Sequence, residues 1–113
     1  MRYALLSFAF AGLLGGCASA QAPSVSDYRT DPQRGAALAE ALCSACHATG
    51  KTDASPRAEA PPFRMLLNKL DAQNLTRDLK AGVAMAHPDL PSVHLTDRSS
   101  EDFVAYLETI KQR

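Results

Sequence analysis

Cys43-Ser44-Ala45-Cys46-His47 puts two thiols and an imidazole within one short stretch. The order is C-x-x-C-H, the sequence through which a c-type haem is attached to a protein. Two thiols at this spacing can each form a thioether with one vinyl group of the same porphyrin. His47, the next residue, can then present its imidazole to the iron from the proximal side. Two plainer chemistries use the same residue types. A thioredoxin-like dithiol calls for a βαβ setting, and no strand pattern of any length is visible. A zinc site could draw on Cys43, Cys46, His47 and one of His87 or His94, but it lacks a second C-x-x-C or an H-x-x-x-H. The motif points to haem c.

The rest of the chain must hold such a group. At 113 residues there is room for one small domain. Lys plus Arg balance Asp plus Glu at 12 each, so no basic surplus suggests nucleic acid. Part of the apolar content sits at the N-terminus, which leaves a thin core. A domain of fewer than ~100 residues is marginal unless something extra fills it. A covalently held haem is such a filler, a large apolar disc around which helices pack.

Residues 1–20 have the pattern of an export signal. Arg2 is the charged end, Ala4 to Leu14 the apolar run, and Gly15 to Ala20 the small residues of a cleavage region. The run is too short for a permanent membrane span. Ala18-Ser19-Ala20 would release a soluble protein beginning at Gln21. Leu14-Gly15-Gly16-Cys17 instead resembles a bacterial lipobox, which would lipidate Cys17 and make it a membrane anchor. Both routes place the domain in the periplasm. There a close cysteine pair would become a plain disulfide unless other chemistry takes it, and haem attachment is that chemistry.

The positioning elements follow in order. Residues 21–30 have no apolar period and are expected to form a flexible arm before a domain at 31–113. Asp31-Pro32 is a helix start, and the Ala-rich segment from Gln33 to Ala45 carries the cysteines near its end. Gly35 invites another helix to approach closely. Ala48 to Pro62 is a loop punctuated by Gly50, Pro56, Pro61 and Pro62, expected to wrap one haem edge. A carbonyl near Ala60-Pro61 would suit the outer nitrogen of His47. Phe63 to Leu70 is expected to be a short helix with Phe63, Leu66, Leu67 and Leu70 on one stripe, and Asn74 to cap the next helix. After a loop with Pro88 and Pro91, Asp97 to Ser99 introduce a last helix with Phe103, Tyr106, Leu107 and Ile110 on its buried face. Glu59, Asp71, Asp78, Asp89, Glu101 and Asp102 are expected to be solvated surface. Arg57, Arg64 and Lys69 could pair with haem propionates, Arg64 foremost.

From about Asp31 to Ile110 the chain resembles a small class I cytochrome c. The resemblance rests on Gly35 before Cys43-Ser44-Ala45-Cys46-His47, then Ala60-Pro61-Pro62-Phe63, then a last helix carrying Ala105-Tyr106-Leu107. It implies an all-α, cytochrome c-like fold of about four short helices around one covalent haem, with Gly35 meeting Tyr106 or Phe103 where the first and last helices cross. It also implies a Met iron ligand in the loop before the last helix, and here the chain departs from the pattern. That loop reads His87-Pro88-Asp89-Leu90-Pro91-Ser92-Val93-His94, with Leu90 where the Met is expected. Leucine has no donor atom. The distal candidates are Met85, then His87, then His94, or no protein ligand at all.

The leading expectation is an exported monohaem cytochrome that carries single electrons between redox protein partners, and not an enzyme. The alternative is a haem-based gas-binding or sensing module, left open at the iron by Leu90, with weak peroxidase-like activity.

Overall fold

The computed structural model describes residues 28–83, 87–88, 90 and 93–113. The export segment with Cys17, and the distal candidate Met85, lie outside the described residues. Among the described residues the chain is all-α, with no strand. It forms α1 (Pro32–Cys43), a 3-10 helix (Phe63–Asn68), α2 (Ala72–Ala81) and α3 (Asp97–Ile110). No described helix is long and apolar enough to cross a membrane.

α1 begins as its sequence dictates. The Asp31 carboxylate accepts from the amides of Gln33 and Arg34, and Pro32 fills a first-turn position that needs no donor. The helix then crosses α3 at Gly35. A Cβ there would run into the Asp102 carbonyl and stand 2.8 Å from the Tyr106 Cβ, so only glycine permits this approach.

The crossing changes the reading of one acidic residue. Asp102 is not solvated surface but 5% exposed. Its carboxylate accepts from the Asp31 amide at 2.6 Å and from Arg34 Nε at 2.9 Å. Burial alone would push its pKa up; the Arg34 guanidinium and the Asp31 amide outweigh that and hold it below the usual carboxylate value. Arg34 also lies over the Tyr28 ring, whose hydroxyl donates to the Arg98 carbonyl at 3.0 Å. The segment entering α1 is thereby fastened to the start of α3.

Two further expectations need correction. Phe63–Asn68 is a 3-10 helix and stops before Leu70, which is 46% exposed. A segment this short gains little from α-helical cooperativity, and 3-10 turns serve as connectors. Asp71, not Asn74, caps α2, because its carboxylate reaches the amides of both Gln73 and Asn74. α3 is capped by the Thr96 hydroxyl on the Ser99 amide.

The elements share one core. Ala39 of α1, Phe63 and Leu67 of the 3-10 helix, Leu79 of α2, and Phe103, Leu107 and Ile110 of α3 are buried together.

Candidate cofactor site at the end of α1

α1 ends at Cys43, and the chain turns at once. The amides of Cys46 and His47 both donate to the Cys43 carbonyl, at 3.1 and 2.9 Å. The turn keeps both thiols and the imidazole together at one helix end. Cys43 and Cys46 are free and half-buried. Burial and the neighbouring Cys46 push the Cys43 thiol up.

The imidazole of His47 is fixed from two sides. Its Nδ1 donates to the Pro61 carbonyl at 2.7 Å, where the sequence led us to expect such an acceptor. A carbonyl can only accept, so Nδ1 carries the proton, and in the neutral ring the free lone pair is on Nε2. Phe63 lies against the ring with centroids 4.8 Å apart and planes at 31°. Phe63 in turn meets Phe103 edge-on at 5.3 Å, so the core itself supports His47.

The loop between Ala48 and Pro62 is closed by its own hydrogen bonds. The Ala48 amide donates to Ser55 Oγ at 3.0 Å, and the Phe63 amide returns to the Ala48 carbonyl at 3.0 Å. The Arg57 amide reaches the Cys46 carbonyl at 3.2 Å. Two bonds tie the loop start to the helices. Thr49 Oγ1 donates to the Glu40 carboxylate at 2.8 Å, and the Tyr106 hydroxyl donates to the Thr49 carbonyl.

The other candidates are placed differently. His87 is half-buried, and its Nδ1 donates to the Val83 carbonyl at 3.0 Å. Its ring centroid lies 5.8 Å from that of His47, with the planes at 59°. His94 is exposed and held at the end of α2. There its Nδ1 donates to the Lys80 carbonyl at 3.3 Å, and its ring packs on Gly82, which has φ +106°. Leu90 is 43% exposed. Arg57 pairs with Glu59 at 3.0 Å and has Nη1 3.9 Å from Cys46 Sγ. Arg64 donates through Nη1 to the Asp53 carbonyl at 2.8 Å, while its Nε is buried without a hydrogen-bond partner. Lys69 is exposed.

Among the described residues, no three His, Cys, Asp or Glu side chains converge to hold a bare metal ion. The zinc set of Cys43, Cys46, His47 and a second histidine is therefore not formed there. Sequence reasoning missed Phe63 as the support of His47 and Tyr106 as the anchor of the loop. Both act across more than a dozen residues of chain and leave no local pattern; an aromatic just after Pro61-Pro62 was the one available cue. Comparison of the chain with family models, with curated proteins and with solved structures gives no match.

Proposed function

We propose that the chain is an exported, monohaem c-type cytochrome with a cytochrome c-like fold, and that it passes single electrons between redox protein partners. The observation that carries this reading is the state of His47. It follows two free thiols in C-x-x-C-H order, its Nδ1 is bound to a backbone carbonyl, and its Nε2 is left with a lone pair. Metal-ligating histidines almost always donate their outer N–H to a carbonyl or carboxylate, which fixes the tautomer and raises donor strength.

The residues suit a covalent haem in each respect. The S–H groups of Cys43 and Cys46 would each add across one vinyl double bond, so two thioethers form without a leaving group. His47 would be the proximal ligand. Arg64 has one buried donor, Nε, that a propionate could satisfy. Phe63 holds the imidazole plane against the core. The crossing of α1 with α3 at Gly35 and Tyr106 supports the cytochrome c-like arrangement. When bound, the haem supplies a one-electron Fe(III)/Fe(II) couple. The chain supplies ligation, orientation and a docking surface. With balanced charge, partner docking should depend only modestly on salt. Export rests on the pattern of residues 1–20, with release after Ala20 or anchoring through Cys17.

The test is a potentiometric titration of the protein produced in a host that attaches haem c. A reversible, one-electron Nernstian change in the visible bands is expected. A protein that shows no reversible couple, or that turns over peroxide rapidly, contradicts electron carriage.

A further inference from the structure

We infer that His87 is the second axial ligand, so that the iron is held between two imidazoles. This rests on the haem reading above and assigns the position that Leu90 cannot fill. Three observations carry it. First, His87 is placed against His47, with ring centroids 5.8 Å apart. Imidazole nitrogens bind a metal at roughly 2 Å, which puts the centroids of two rings on opposite sides of one ion roughly 6 Å apart. The 59° between the planes is compatible with this, because two ligating rings need to share only the metal–nitrogen axis and not a common plane.

Second, the two histidines are prepared alike. His47 Nδ1 donates to the Pro61 carbonyl and His87 Nδ1 to the Val83 carbonyl. Both neutral rings therefore keep Nε2 as the free donor, and both have the outer hydrogen bond that orients a ligating histidine.

Third, the other described candidates lie elsewhere or lack a donor. His94 packs on Gly82 and binds Lys80 at the end of α2. Leu90 has no donor atom. Met85 precedes His87 by two residues in sequence, so the test must separate these two side chains.

The consequence is a closed iron. Two imidazoles leave no exchangeable position for a gas or peroxide, which favours electron transfer over sensing. They also favour the ferric state more than a thioether does, so the potential lies below that of a His/Met iron.

The experiment uses the haem-loaded protein. Intact mass first establishes attachment; a chain that takes up no haem overturns the parent reading and this one with it. Absorption and electron paramagnetic resonance spectra are then compared for wild type, His87→Ala, His87→Met and Met85→Leu, with carbon monoxide added to the ferrous forms. Wild type is expected to be low-spin, without a sulfur-to-iron charge-transfer band and indifferent to carbon monoxide. Met85→Leu is expected to match it. His87→Ala should turn high-spin and bind carbon monoxide, and added imidazole should restore the low-spin spectrum. His87→Met should gain the charge-transfer band, which gives a second readout should His87→Ala fold poorly. An attached haem whose wild-type charge-transfer band disappears in Met85→Leu overturns the His87 assignment and leaves the parent reading standing. So does a wild-type iron that binds carbon monoxide as readily as His87→Ala.

Discussion

The His47 side and the His87 side of the site are held in contrasting ways. His47 is locked by the core. Its ring lies on Phe63, Phe63 meets Phe103 of α3, and the Pro61 carbonyl fixes Nδ1. The loop that supplies Pro61 is fastened at Ala48 by Ser55 and at Thr49 by Tyr106. Among the described residues, the hydrogen bonds around His87 are local. The His87 Nδ1 reaches only four residues back, to Val83, and the Leu90 amide closes a turn on the His87 carbonyl at 3.0 Å. Val83 and Leu95 connect that segment to the rest through backbone bonds of 3.4 and 3.2 Å, to Val93 and Leu79. The lesson is a division of labour. On the proposed haem reading, the His47 ligand would be set by the core, whereas the ligand on the His87 side would be open to change by substitution at His87.

Substitutions on either side test this contrast. The largest effect is expected for Phe63→Ala, which removes a 4% exposed ring shared by the core and His47. A loss of about 3–5 kcal/mol is expected in denaturant unfolding, together with weakened ligation by His47. A variant that loses stability but keeps the spectra of the haem-loaded wild type would show that the core does not hold the His47 ring. Gly35→Ala comes next. Its Cβ meets helix backbone at Asp102, so α1 and α3 must separate, at a cost of about 3 kcal/mol. A melting temperature equal to wild type would show that the crossing has slack.

Asp102→Asn tests the buried pair and its pH dependence. The folded carboxyl is held below the unfolded value of about 4, so the group stabilises the fold above that pH. The contribution is lost as pH falls through the depressed folded value. Wild-type stability should therefore drop more steeply than that of Asp102→Asn below about pH 4, and the variant should lose about 1–3 kcal/mol at neutral pH. Parallel acid profiles would contradict the assignment. The smallest effect is expected for Tyr106→Phe, which deletes the donor to the Thr49 carbonyl. About 1 kcal/mol should be lost, with faster hydrogen exchange confined to the loop before Pro61. An unchanged loop would mean that it closes without α3.

Much of this was legible locally. Asp31-Pro32 announced α1, Gly35 announced a close crossing, and Ala60-Pro61 announced the carbonyl that meets His47 Nδ1, because each is a short-range chemical pattern. Asp102 was not legible. An acidic pair near a helix start looks solvated until a second helix brings Arg34 and the Asp31 amide onto it. Asn74 looked like a cap because it precedes Leu75, but Asp71 stands where one carboxylate reaches two free amides. The placement of His87 beside His47 depends on how the chain returns after α2, and residue spacing alone ranked it below Met85.

The most direct test of the central claim is the intact mass of the exported protein, with the visible spectrum of the same sample. The account predicts one haem per chain that survives denaturation, and loss of that covalent haem when Cys43 and Cys46 are both replaced by Ala. A processed protein with two titratable thiols and no Soret absorption would contradict it.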